Sequence, residues 1–197
     1  MNSPTIKDIG KADNIAAAAQ KATKKGPPPV HLWDPPFCGD LDMRIARDGT
    51  WYYLGTPIGR KRLVKLFASI IRKDDDDYYL VTPVEKVGIK VEDAPFIAVD
   101  FEVDNFGIDQ SVTFFTNVDD QVIAGGVHPI RVEKDPLTGE VSPYILIRRN
   151  LEALIDRKSF FRLVEICSNH WIEGESWFGV WSSGFFFPFI PSKEMEA

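Results

Sequence analysis

Arg60 and Arg157 each open a stretch of helical periodicity. A guanidinium there offers a planar fork to a phosphate or carboxylate, in the turn where free backbone N–H groups already favour an anion. The competing reading is that each arginine pairs with a carboxylate such as Asp40 or Asp156 and pins its own loop to the sheet. A second group is Asp34, Cys38, Asp40 and Asp42, where a thiol with cationic neighbours can serve as nucleophile or redox sensor. Cys38 has no histidine beside it in sequence, and a packed, inert thiol is the alternative. In a third group, Arg148, Arg149 and Asn150 follow an apolar strand. With Trp33, Trp51 and Tyr144 as flat rings, they would stack a nucleobase and answer its phosphate if the fold brings them together.

Other chemistries find no support. His31, His128 and His170 show neither i,i+4 spacing nor paired cysteines, so no metal and no cofactor is expected. GxGxxG, Walker and GxSxG patterns do not occur, which removes the common dinucleotide, NTPase and α/β-hydrolase readings. The run Asp74 to Asp77 lacks the spaced ligands of a calcium loop and reads as a solvated turn. With 29 acidic against 23 basic residues the formal charge is −6, which disfavours bulk nucleic-acid binding. Two distant cysteines form no disulfide framework, and the run Ile15 to Ala19 is too short for an export signal or a membrane span. A cytoplasmic protein without membrane insertion is the expectation.

The elements that must position these groups come from periodicity. Pro4 to Lys25 reads as a helix with a weak apolar face, a peripheral arm ended by Gly26-Pro27-Pro28-Pro29. His31 to Asp40 reads as an ordered aromatic loop. Met43 to Ala46 and Trp51 to Leu54 flank Asp48-Gly49 as a hairpin, and Arg60 to Ile71 follows as an amphipathic helix with Leu63, Leu66, Phe67 and Ile70 on one face. Short β-type segments then run through Tyr78 to Val81, Val87 to Val91, Phe96 to Val103, Ser111 to Thr116 and Gln121 to Ile123. A second hairpin pairs Ile130 to Glu133 with Tyr144 to Ile147. A helix from about Lys158 to Ser168 is capped by Asp156. Trp177 to Trp181 and Phe185 to Phe187 close the chain as two strands whose aromatic cluster reads as core.

Laying Ile58 to Leu66 over Ile155 to Leu163 matches Ile, Arg, Lys and Leu without a gap. Leu54 then pairs with Leu151, and beyond the helix, after a short insertion, Tyr79-Leu80-Val81 faces Phe178-Gly179-Val180. An internal duplication accounts for this order. It also overrides the helical propensity of Asn150 to Ile155, because the counterpart contains Gly55 and Pro57 and favours an extended chain. The fold expected is α+β: two related subdomains with antiparallel sheets, each with an amphipathic helix. The expected partition is residues 1–28 as arm and linker, 29–103 as first repeat and 104–197 as second.

The runs Pro29 to Asp40 and Asp48 to Arg60 resemble the bacterial domain-of-unknown-function family 1285. Phe115 to Val118, His128 to Val132 and Leu151 to Arg157 carry the same resemblance. It implies a duplicated core whose C-terminal half is pleckstrin-homology-like. It further implies a pocket at the interface of the two repeats for a nucleotide-type ligand, and a role in signal transduction during oxidative stress. The candidate ligand residues, read from the sequence itself, are Trp33, Asp40, Trp51, Arg60, Tyr144, Arg148, Asn150 and Arg157. The leading expectation is a binding protein, not an enzyme, for a small anionic ligand, with a signalling protein as further partner. An enzyme using Cys38 with nearby carboxylates and a protein-interaction scaffold are the alternatives.

Overall fold

The computed structural model describes residues 6–107 and 109–194, and its chain divides into two compact units between Pro95 and Phe96. The first unit begins with α1 (Ile6–Ala22) and a 3₁₀ turn (Val30–Leu32). It continues with β1 (Phe37–Ile45), β2 (Trp51–Tyr53), β3 (Thr56–Pro57), α2 (Lys61–Ser69), β4 (Ile71–Asp74), β5 (Asp77–Val81) and β6 (Lys86–Val91). Its six-stranded sheet has the order β3-β2-β1-β6-β5-β4. Two antiparallel meanders are therefore joined through one parallel pair, β1 with β6.

The second unit contains β7 (Phe96–Asp104), β8 (Ser111–Thr116), β9 (Gln121–Ile123), β10 (Ile130–Lys134), β11 (Val141–Arg148) and β12 (Leu151–Ile155). After these come α3 (Arg157–Val164), β13 (Ser168–Ile172), β14 (Glu175–Ser182) and β15 (Phe185–Pro191). Its large sheet runs β10-β11-β12-β7-β8-β9, again with one central parallel pair, β12 with β7; β13, β14 and β15 form a separate small sheet. Meander, helix, meander occurs in β1 to β6 and again in β10 to β15, with α2 and α3 in the same place in that order. The α+β fold and the two-unit repeat expected from the sequence are thus present. The parallel pairs were not anticipated, since they join strands far apart in sequence and leave no turn signal.

Side-chain alternation explains the layers. Along β1, Leu41, Met43 and Ile45 point inward while Asp40, Asp42 and Arg44 remain accessible. Trp51 on β2 is 1% exposed and stacks on Phe67 of α2, with ring centroids 6.3 Å apart, so the amphipathic face of that helix closes over the hairpin. In the second unit Phe101 and Phe114 pack at 5.7 Å across β7 and β8, while Leu163 of α3 is fully buried. The segment Leu151–Ile155 is a strand with alternating burial, as the repeat required against its helical propensity. The segment expected as a peripheral arm packs instead: Ile15 and Ala19 of α1 are fully buried, and Lys11 Nζ donates to the Cys38 carbonyl at 3.0 Å. Pro4 and the rest of residues 1–5 lie outside the described residues.

One further difference and one agreement share a cause. The aromatic loop ends at Pro36, because Phe37 to Asp40 already pair with β6, and the acidic run Asp74–Asp77 forms, as expected, a solvated turn, the tight end of the β4–β5 hairpin. In both places a single guanidinium fixes the chain. Arg72 donates from Nε and a terminal nitrogen to the two oxygens of Asp74, each at 2.8 Å, and from its other terminal nitrogen to the carbonyls of Val30 and Trp33, at 3.2 and 2.7 Å. Lys86 adds a longer contact to Asp74 at 3.4 Å. The hydrogen bonds from Arg72 hold the Asp74 carboxyl below the usual carboxylate range.

Arg72→Ala removes these bonds and should lower stability by about 2 kcal/mol in urea denaturation. Because the folded pKa of Asp74 is depressed, its contribution is present above the unfolded value of 3.8 and is lost as pH falls through the folded value. Asp74→Asn should flatten the acid limb of the stability curve in that window. An unchanged limb would assign acid sensitivity to other carboxylates.

Candidate functional site

The two helix starts singled out by the repeat have different local chemistry. At α3, Asp156 is extended and its side chain accepts the Ser159 N–H at 2.7 Å, so the first turn is capped by the chain itself. Arg157 is exposed and lies over the Phe161 ring at 5.5 Å. At α2 no side chain caps the first turn and no acid occupies it. The ungapped match sets Gly59 opposite Asp156, while the cap position of α2 falls one residue later on Arg60, so the capping carboxylate has no counterpart there. Instead Arg60, Lys61 and Arg62 stand side by side, all exposed, and their side chains make no hydrogen bond or ion pair among the described residues.

That arrangement runs against two physical preferences. The helix macrodipole disfavours cations in a first turn. The chain also has an excess of acids, and it pairs its other cations readily: Arg44 with Glu92, Arg131 with Glu152, Arg148 with Asp120, Arg162 with Asp100. Three adjacent unpaired cations beside uncapped N–H groups form an arrangement suited to a multiply charged oxyanion.

The remaining predicted residues are distributed over both units. In the first, Trp33 is half-buried with its carbonyl held by Arg72, and Trp51 is core, its indole N–H lacking an acceptor among the described residues; a buried ring offers no stacking surface. Asp40 faces Gly88 across β1 and β6 and lines an open polar cleft of about 410 Å³ with Asp76, Asp77, Tyr78 and Lys90. A Cβ at position 88 would lie 2.2 Å from the Asp40 carboxylate, so the glycine makes room for it. In the second unit Tyr144 is buried beneath Arg131, whose guanidinium sits 4.3 Å from its ring and is bound by Glu152. Arg148 reaches Asp120 at 2.6 Å and covers Phe96 at 4.7 Å, and Asn150 is exposed in the turn before β12. Tyr144 and Arg148 are thus committed to separate neighbours along β11 and do not converge on one point.

Sequence reasoning did not single out Lys61 and Arg62, whose role follows from the missing cap, nor β13. The signals for β13 were the alternation in Ser168 to Ile172 and the turn pair Glu173-Gly174, both at positive φ. With β13 in place, His170 sits 4.8 Å from Trp181 and 5.0 Å from Phe186, and the aromatic cluster expected as core is half-exposed on that side. Among the described residues no group of three or more His, Cys, Asp or Glu side chains is placed to hold a metal ion. None of their helices is long and apolar enough to cross a membrane.

Comparison with known proteins places this architecture. The sequence model for the N-terminal domain of the domain-of-unknown-function family DUF1285 matches residues 28–94, and that for its C-terminal domain matches residues 95–189. The chain belongs to the DUF1285 family. A crystal structure of a DUF1285 family protein from Silicibacter pomeroyi DSS-3 is similar to it at 57% identity and a TM-score of 0.84, over 93% of this chain and 98% of that one. A DUF1285 family protein from Shewanella baltica OS155 shares 30% identity over 64% of this chain and 91% of that one, with a TM-score of 0.49. The comparison with curated proteins gives no match.

In this DUF1285 chain the two thiols differ in accessibility. Cys38 is exposed on β1, its Sγ 3.5 Å from the Pro36 carbonyl, whereas burial pushes the Cys167 thiol up to about 12. A disulfide-exchange reagent at pH 8 should titrate one thiol in the native protein and two in denaturant. Cys38→Ser should remove the native signal, whereas persistence of that signal would show that Cys167 is reached through local opening.

Proposed function

We propose that the protein is a small-molecule-binding protein of regulatory and not catalytic type, whose ligand is anionic and nucleotide-like and is held by its phosphate at the start of α2. The observation that carries this reading is the contrast between the two repeats: α3 is capped by Asp156, while α2 leaves its first turn uncapped beside three unpaired cations. Arg60 supplies the fork, Lys61 and Arg62 the remaining charge, and the free N–H groups of the turn the directional hydrogen bonds. No step of bond making is required of these residues. Occupancy of the site is the input of a signalling role.

Thermal denaturation with inorganic phosphate, AMP and ATP, at constant ionic strength, tests the reading. A ligand at about 100 times its Kd stabilises the folded form by about 2.7 kcal/mol, a shift of several degrees. Arg60 has the extended backbone of a cap position, so Arg60→Asp should raise the ligand-free stability by about 1 kcal/mol and abolish the ligand-dependent shift. No shift with any of the three anions, or an equal shift in the variant, would reject the proposal.

A further inference from the structure

Among the described residues, the strands that end the three sheets are guarded against pairing with another chain, with one exception. β3 has two residues and includes Pro57, and β9 has three residues. β4 carries Arg72, Lys73 and Asp74, and β10 carries Arg131, Glu133 and Lys134. β15 contains Pro188 and Pro191 and lies along β10. Short length, charge and proline are the devices that keep a sheet edge from recruiting a foreign strand. β13 has none of them. Its five residues, Ser168-Asn169-His170-Trp171-Ile172, include no proline, no glycine and no Lys, Arg, Asp or Glu, and they pair with β14 without a register shift.

The hairpin fixes which backbone groups face outward. Glu173 and Gly174, both at positive φ, form a two-residue turn closed by the Ile172–Glu175 pair. Such a closing pair exchanges both backbone hydrogen bonds, and bonded pairs alternate along an antiparallel ladder. Ser168, His170 and Ile172 therefore direct their N–H and C=O groups to β14, while those of Asn169 and Trp171 point to the open edge. The Asn169 side chain is held from within, by the Ser192 hydroxyl that donates to its Oδ1 at 2.9 Å, and the Trp171 side chain is 71% exposed. Two N–H groups, two carbonyls and one large ring are left for a neighbour.

We propose that β13 joins two copies of this chain, pairing antiparallel with its own counterpart about a two-fold axis at His170. In that register Asn169 lies opposite the partner's Trp171, and Trp171 opposite the partner's Asn169, so every outward N–H meets an outward carbonyl. An axis at Asn169 would set Trp171 against Cys167, whose N–H is already bound by the Val164 carbonyl, and an axis at Trp171 would set Asn169 against Glu173 in the turn. The strand is thus its own complement in one register. The two Trp171 rings come within reach of each other diagonally across the joint and cover one another. Electrostatics favour the same occupant: the chain has a formal charge of −6, so two copies repel where charged surfaces meet, whereas β13 against itself sets no charge opposite another. The two small sheets become one of six strands, the size of each large sheet. Two five-residue strands make a small interface, so the dimer is of the weak, concentration-dependent class.

Sedimentation velocity of the full chain from about 1 μM to about 1 mM should show a reversible monomer–dimer equilibrium. Trp171→Lys leaves every bond to β14 in place and sets two like charges at the joint; it should raise the dimer dissociation constant by about tenfold or more, with far-UV circular dichroism confirming the fold. Cross-linking with copper phenanthroline in a Cys38→Ser background reads the register. Facing His170 positions form a non-hydrogen-bonded pair with Cα atoms about 4.5 Å apart, within disulfide reach, so His170→Cys should link two copies. Asn169→Cys should not, because position 169 faces position 171 of the partner and lies beyond disulfide reach of its own counterpart. A chain that stays monomeric to the highest concentration overturns the proposal and leaves the edge to a strand of a different protein. A dimer indifferent to Trp171→Lys, or His170→Cys linking no faster than Asn169→Cys, overturns it as well.

Discussion

The Arg72 guanidinium joins three things that the first unit needs at once: the entry of the chain, the end of the β4–β5 hairpin and the balance of a dense acidic run. Its fork neutralises Asp74, and its remaining nitrogen holds the carbonyls of the Val30–Trp33 segment. With that segment fixed, Pro36 reaches Lys86 and β1 begins pairing with β6 at Phe37. β1 carries the hairpin whose Trp51 supports α2 through Phe67, so the position of the basic helix start traces back to this one side chain. Phe37 packs edge-on against Tyr79 at 6.1 Å, and Lys86 lies over the same tyrosine at 4.5 Å. Charge and ring contacts thereby seal the joint on its accessible side, where hydrophobic burial alone would be weak.

Much of this was legible in the sequence because it is local. The hairpin at Asp48-Gly49 appears with Met43 opposite Tyr53, both amphipathic helices start where their apolar spacing predicted but end earlier, at Ser69 and Val164, with Ile71 and Ser168 already in strands, and Asp156 caps α3. The repeat even decided a case against propensity, at Leu151–Ile155. What was not legible is non-local. Nothing in Phe37 to Asp40 announces a parallel partner 48 positions away at Gly88, and the packing of α1 depends on a surface assembled from α2 and β1. The candidate residues show the same division: the type and order of Arg60 and Arg157 were readable, but whether each was paired depended on neighbours, as did the commitment of Tyr144 to Arg131 and of Arg148 to Asp120.

The duplication therefore matters less as symmetry than as an internal control. The same meander-helix-meander order is realised twice, with the same apolar helix face, and the two copies differ at the residue before the matched arginine. Where Asp156 caps α3, a backbone donor is consumed within the chain; at α2 the cap position falls on Arg60, whose side chain accepts none. A scaffold that can satisfy its helix start in one copy shows that the other is not compelled to leave it open.

An uncapped first turn is also a kinetic object. Helix ends lacking side-chain caps open at low free energy, and the first hydrogen bonds of α2, from Leu63 and Val64 to the Arg60 carbonyl, are the ones that fraying breaks. The cations Arg60, Lys61 and Arg62 at the positive end of the helix dipole promote that opening, and counter-charge suppresses it. In slow hydrogen exchange this turn would behave as a separate unit from the buried end of the helix at Phe67 and Ala68, so α2 has a rigid half anchored in the core and a half whose order is set by the ionic composition around it.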